Sequence, residues 1–242
     1  MKKIKYLLLF IALTITLTAC GESRKPEEIV DSSIKTLEQL DNYEMKLVLD
    51  MSISSGGSSF SMKTTGNSKV DNKSNTVYTK TEASLFGMNV ESEGYDVTDG
   101  TTTTSYTKNI GEEGWTKEIS EEPKGANEVV SAIDKSTKFV EVDSDVKGAK
   151  AYETTLKYDD IKGLLDSEDE EAPANMQAGD IKCKIYIKDD KIVKMSMNFE
   201  VSQDEAKSTV SIVIEFSKFN EAGSVTVPED IVKNAKEAEE ME

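Results

Sequence analysis

The sequence predicts a mainly β fold, a curved antiparallel half-barrel sheet of about eleven strands with a few helices on its concave face. Apolar and polar residues alternate with a period of two over much of the chain after residue 42. Turn residues, such as Gly56-Gly57 and Asp189-Asp190, separate the alternating runs. Strands with one apolar and one polar side are typical of antiparallel sheets. A single sheet of this kind must cover its apolar face with helices or curl onto itself.

The first twenty residues resemble a bacterial lipoprotein signal. Three lysines precede about a dozen apolar residues, a length typical of a secretory signal and too short to span a bilayer. The run ends in Leu17-Thr18-Ala19-Cys20, where a cysteine follows small residues. We expect residues 1–19 to be a cleaved signal peptide, Cys20 to be lipidated, residues 20–25 to be a tether and residues 26–242 to form one domain.

Lipidation of Cys20 would place the protein on the extracytoplasmic face of a cell membrane, as expected for a Gram-positive surface. Two acyl chains give stable anchoring where a single chain does not. The alternative is an ordinary secreted protein in which the cysteine occurs by chance.

The charge composition excludes some partners. The net charge is −17, and removing residues 1–19, which hold three lysines and no acids, lowers it to −20. Such a chain should avoid nucleic acid and be repelled by anionic headgroups, and we expect a monomer.

The chain contains no histidine, which removes the usual general base and the commonest zinc ligand. We therefore expect no enzyme activity, no metal and no cofactor.

Cysteine usage indicates a fold without disulfides. Cys183 is the only cysteine besides Cys20, and it would have no partner if Cys20 holds lipid. It alternates in phase with neighbouring isoleucines, so we predict a buried thiol.

The elements follow from changes in periodicity. Pro26 opens a predicted helix over residues 26–41, in which apolar residues from Val30 to Leu40 recur at helical spacing. The predicted strands begin at about residues 43 and 60 and then cover about 74–82, 87–97, 102–108, 114–119, 138–143, 149–158, 181–188, 191–202 and 208–219. Short helices are predicted near 126–135 and 159–166, an acidic loop over 167–179, and a C-terminal helix that begins at Pro228.

Methionines are the most informative residues on the predicted apolar face. Methionine fills irregular gaps and is common on apolar surfaces that accept varied shapes. If the helices leave part of the concave face free, an apolar site for an acyl chain or a similar ligand remains. The candidate ligand-binding residues are Met45, Leu47, Met51, Met195, Met197 and Phe199. Ordinary core packing is the alternative for each, and only a subset can line a cavity.

The overall pattern resembles a family of Gram-positive lipoproteins with a LolA-like or LppX/LprG-like half-barrel fold. The resemblance rests on the lipobox, on the helix that enters a strand at Leu40-Asp41-Asn42-Tyr43, on Gly114-Trp115-Thr116-Lys117, and on the ending from Phe216-Ser217-Lys218 to Val227-Pro228-Glu229. The resemblance implies binding or carriage of a lipid or glycolipid in the concavity. Trp115 would either line the cavity mouth or pack at a strand edge.

The sequence argues against two candidate metal sites, and it allows a second function. The run from Asp143 resembles a calcium loop, but its fifth position is Lys147 and its twelfth is Thr154, where a bidentate glutamate is needed. The acids at 168–171 are those of a solvated loop. The alternative function is a non-enzymatic surface interaction or regulatory protein, with a filled core and an acidic face for a basic partner.

Overall fold

The computed structural model describes residues 24–85, 88–109, 111, 114–121, 133, 137–157, 176–204 and 206–238. Within those residues, thirteen strands form one open, curved sheet. The strands are β1 (Asn42–Ser55), β2 (Ser58–Asp71), β3 (Thr76–Leu85), β4 (Met88–Asp99), β5 (Thr102–Asn109), β6 (Thr116–Ser120), β7 (Val140–Val142), β8 (Lys150–Leu156), β9 (Met176–Ala178), β10 (Ile181–Lys188), β11 (Lys191–Gln203), β12 (Ala206–Ser217) and β13 (Lys236–Glu237).

The order across the sheet is β13-β6-β5-β4-β3-β2-β1-β12-β11-β10-β8-β7, with β9 paired to β11. Most neighbours are joined by tight hairpins, so the pairing is antiparallel. The exception is β13, which lies parallel to β6. The long strands β1, β2, β11 and β12 occupy the middle of the sheet and set its length.

Helix α1 (Pro26–Glu38) crosses one end of the sheet. Pro26 starts the helix and two acids follow in its first turn, where they complement the helix dipole. Arg24, just before the helix, forms an ion pair of 3.0 Å with Asp190 in the β10–β11 turn. The chain then enters β1 at Asn42. Since Asp190 and Asn42 both lie at the same end of the sheet, α1 covers that end and leaves the other free of α1.

The main core lies between α1 and one face of the sheet, here called the helix face. Val30 and Leu37 of α1 are buried against β10 and β11. The sheet contributes inward apolar side chains from six strands, all almost fully buried: Tyr43, Val70, Tyr152, Leu156, Ile181, Cys183, Ile185, Ile192, Met195, Met197, Phe199, Val210, Ile212, Ile214 and Phe216.

A second, smaller core lies on the opposite face of β3–β6. The Tyr78 and Tyr95 rings contact each other in a tilted arrangement with 4.9 Å between centroids, and Tyr95 contacts Trp115 with 5.7 Å between centroids. The C-terminal segment lies on this side, since Lys236 N–H donates to the Trp115 carbonyl. Helix α2 (Glu229–Asn234) belongs to this segment, and its Ile231 is buried.

The fold class predicted from the sequence is confirmed, with a few corrections. The predicted strand bounds differ from the observed ones by at most three residues at each compared end. The sheet has thirteen described strands instead of about eleven, because β9 and β13 are too short to show alternation. Part of the predicted acidic loop, Met176–Ala178, is strand β9. The predicted signal peptide, Cys20 and the segment 159–166 lie outside the described residues, as does nearly all of 126–135.

Candidate functional site

The helix face of β1 forms a half-buried apolar strip. This apolar strip consists of Met45, Leu47, Leu49, Met51 and Ile53. Its members alternate with polar residues, and the strand runs away from α1, so the strip leads from the main core toward the free end of the sheet. Each strip residue except Ile53 packs partly against the core cluster. The strip is therefore continuous with the core but more accessible than it.

The strip widens at the free end of the sheet. Ile53 lies opposite Phe60 on β2, and Met51 lies opposite Met62. One strand further on, the β3–β4 hairpin places Met88 and Val90 on the same face, as the register of these strands requires. Phe60, Met88 and Val90 are 39%, 63% and 51% exposed. We call these three residues the tip patch.

The other predicted site residues are fully buried. Met195, Met197 and Phe199 of β11 have exposures of 1%, 3% and 5% and belong to the main core. Cys183 lies opposite Met197 on β10, and its burial raises the pKa of the thiol to about 12. The structure thus divides the six predicted residues into three half-buried ones on β1 (Met45, Leu47 and Met51) and three core ones on β11.

Polar side chains border the strip on its β3–β6 side. On the helix face of these strands, the residues in register with the strip are small and hydroxylated, for example Thr79, Thr81 and Ser105. Ser68 and Thr79 hydroxyls lie 2.9 Å apart, and the Ser105 hydroxyl donates to Asp96 at 2.6 Å. An apolar ligand on the strip would therefore meet a hydrogen-bonding wall on one side.

Several grooves of the described residues are lined mainly by charged and polar residues, and one of about 560 Å³ borders Ile53 at the free end of the strip. One groove of about 610 Å³ lies on the opposite face of the central strands and is bordered by Lys46, Lys69 and Lys194. Next to it, Asp145 accepts a hydrogen bond from the Tyr186 hydroxyl, which holds the pKa of that carboxyl below its usual range. Lys184 and Lys194 lie 3.7 and 3.8 Å from the same carboxylate. These groups form ion pairs rather than an apolar site.

Across the described part of the chain, histidine, cysteine and carboxylate side chains do not gather in groups of three that could hold a metal ion. The helices of that part are too short or too polar to span a bilayer.

The tip patch was not among the residues predicted from the sequence. The signal that could have found it is the local absence of charge. Residues 51–62 and 83–90 contain no charged side chain, although 31% of the chain is charged. Trp115 lies on the opposite face, at the edge of the second core, and so does not line the strip.

Comparison with known proteins gives only distant similarities. No family model and no curated protein matches the chain. Among solved structures, the chain is similar to a DUF1329 family protein from Desulfovibrio piger, with 13% identity, 85% of this chain and 96% of that chain covered, and a TM-score of 0.29. It is also similar to a putative outer membrane lipoprotein-sorting protein domain from Vibrio parahaemolyticus, with 8% identity, coverage of 85% and 95%, and a TM-score of 0.32. The YwiB protein from Bacillus subtilis gives 9% identity, coverage of 75% and 96%, and a TM-score of 0.22. At these TM-scores the similarities assign neither a family nor a function.

Proposed function

We propose that the chain is a membrane-anchored extracytoplasmic lipoprotein that binds a hydrophobic ligand, a lipid or glycolipid, on the helix face of its sheet. Cys20 would be the lipidated residue, and the protein would act as a lipid carrier or sensor rather than as an enzyme. The apolar strip would hold the acyl chain, and the fold would be of the LolA-like kind that the sequence resembles.

The observation behind this proposal is the graded exposure along β1 and β2. Near α1 the helix face is closed by Val30 and Leu37, whereas toward the free end it opens through half-buried Met51 to exposed Phe60. Soluble domains usually bury such side chains, and large exposed apolar patches are typical of interaction sites. Each square ångström of apolar surface covered by an acyl chain would contribute about 25 cal/mol.

A second candidate function is supported by the buried β11 residues. Met195, Met197 and Phe199 fill the core, as expected of a half-barrel occupied by its own side chains. In that case the protein would be an interaction or regulatory protein whose acidic surface meets a basic partner. Binding would then weaken steeply as salt is added, because exposed charges are screened.

The test is uptake of a fluorescent fatty acid and a fluorescent phospholipid by the purified full chain. Met51→Asp places a carboxylate on the strip without entering the α1 core, and we expect it to reduce affinity by roughly tenfold or more, since burying an aliphatic side chain against an apolar ligand is worth 1.5–3 kcal/mol. The matched control is Val140→Asp on β7, where the apolar side chain is 59% exposed and outside the strip.

The two variants separate the candidate functions. Val140→Asp should take up lipid like the unaltered chain, and Met51→Asp should not. Equal uptake by both variants would place the ligand elsewhere. An unaltered chain that takes up neither probe, but binds a basic protein in a salt-sensitive way, would favour the second function.

A further inference from the structure

We propose that the tip patch is a second membrane contact, which lays the anchored molecule along the bilayer with its helix face toward the lipid. This inference rests on the proposed function, because it assigns the partner and orientation of the same apolar face. The partner is the lipid bilayer. The tip patch would contact its acyl chains and its uncharged interfacial layer, not anionic headgroups.

The charge pattern of the two ends of the sheet supports this choice of partner. At the α1 end, the turns and strand ends are charged, with the acids Asp41, Asp71, Asp99, Asp189 and Asp190 beside bases such as Lys73, Lys188 and Lys218. At the free end, the β1–β2 and β3–β4 hairpins consist of residues 51–62 and 83–90, which include no charge. The β11–β12 hairpin beside them holds Asp204 and Lys207, so the uncharged part of this end consists of the two named hairpins. A chain this acidic is repelled by anionic surfaces over most of its area, and these two hairpins are the part that can approach lipid without that cost.

The register makes the β1–β2 hairpin protrude past the neighbouring strand β3. Met62 pairs with Leu85, the last residue of β3, while β2 continues outward through Ser58. Strand β2 therefore extends four residues, roughly 13 Å, past Leu85 at the end of β3. The turn between β1 and β2 is Gly56-Gly57, both with positive φ, which allows a tight connection without side chains.

At the tip, the exposed large apolar residues lie on the helix face. Phe60, Met88 and Val90 all belong to the helix face, whereas the intervening Ser59 and Ser61 belong to the opposite face, as the alternation of β2 requires. A tip that dipped into lipid end-on would need apolar residues on both faces. One-sided exposure instead fits a sheet that lies along the surface.

The anchor position leads to the same orientation. Arg24 lies at the α1 end, where it forms an ion pair with Asp190, and three residues lie between it and Cys20. Such a tether spans at most about 14 Å, whereas the 14-residue strand β1 is roughly 45 Å long. Both the anchor and the tip patch can touch one bilayer when the strands run nearly parallel to it. An upright molecule would hold the tip patch far from its own membrane.

The test uses the full chain in phosphatidylcholine vesicles, with an environment-sensitive fluorophore on an introduced cysteine. The experiment uses the lipidated chain, in which lipid on the Cys20 sulfur blocks labelling there, and Cys183 is fully buried with a thiol pKa of about 12, so it should not react. The probe sites are Phe60→Cys and Met88→Cys. The matched control is Ser61→Cys, next to Phe60 but on the opposite face, and the distant control is Thr101→Cys in the β4–β5 turn at the other end of the sheet.

Nitroxide-labelled lipids should quench the fluorescence of the probes at positions 60 and 88. The fluorescence of the probes at positions 61 and 101 should not change. Equal quenching at 60 and 61 would overturn the one-sided orientation, and no quenching at 60 and 88 would overturn the membrane contact. A blue shift at 60 without quenching by lipid would indicate burial against protein, a second copy included, and would also overturn it. Lipid uptake measured on the same samples keeps this outcome separate from the proposed function, since uptake can persist when the tip probes are not quenched.

Discussion

The two halves of the sheet bury opposite faces. In β1, β8 and β10–β12, the core apolar side chains point to the helix face and form the main core together with α1. In β3–β6, the helix face is largely polar, and the aromatic residues point to the opposite face under the C-terminal segment. The change occurs at the β2–β3 hairpin, where Val70 and Val77 still face the main core while neighbouring Asp71 is buried on the other side.

This difference shows that alternation alone does not locate a core. Both halves alternate equally well, so the period predicts strands in each. Which face is buried depends on what the chain places over it, here a helix that precedes the sheet and a segment that follows it. The apolar strip lies at the boundary between the halves, which is why one of its sides is core and the other is a hydroxyl-lined wall.

The largest expected effect is a difference in stability between a substitution in the main core and one in the apolar strip. Met195→Asp should lower the free energy of unfolding by several kcal/mol, because it buries an unpaired charge beside α1, whereas Met51→Asp should cost about 1–2 kcal/mol. Urea denaturation followed by circular dichroism measures both. Similar losses for the two variants would mean that β1 is core to the same degree as β11, and the distinction would fail.

An intermediate loss of stability is expected for a substitution in the second core. Ile231→Ala removes a buried side chain of α2 and should cost about 2–4 kcal/mol in the stability of that region, because it leaves a cavity. Hydrogen exchange should rise in β5, β6 and the C-terminal segment while β10–β12 stay protected. Lipid uptake should not change. Faster exchange in β10–β12 would contradict the presence of two separate cores.

The smallest effect concerns Asp71, which connects the halves. Its burial alone would raise its pKa, but N–H donors from Val225, Lys73 and Ser74 hold the pKa of Asp71 below its usual range. A folded-state pKa below the unfolded value stabilises the protein above the unfolded pKa, and that stability is lost as pH falls through the folded pKa. Asp71→Asn should therefore cost about 1–3 kcal/mol at neutral pH, with a smaller difference in acid.

Thermal unfolding at a series of pH values measures this difference. The control is Asp99→Asn, an exposed acid at the same end of the sheet. A deficit for Asp71→Asn that stays constant down to pH 3 would show that the carboxylate charge is not what holds Val225.

The sequence predicted most of the strands because their alternation is long and their turns are distinct. It predicted the buried thiol of Cys183 for the same reason, since that residue is in phase with isoleucines. It could not separate Met51 from Met197, because both have the same pattern and only the position of α1 differs between them. The exposure of Phe60 and Met88 depends on how the β1–β2 and β3–β4 hairpins pair in the sheet. This register could not be predicted from the sequence of either hairpin alone.

The most direct test of the central claim is native mass spectrometry of the full chain, purified without detergent from its host's envelope and followed by solvent extraction. We expect a discrete lipid mass bound to the unaltered chain and to Val140→Asp, and its loss from Met51→Asp. A chain that is free of lipid in all three samples, and that takes up none when lipid is offered, would contradict a ligand site on the helix face.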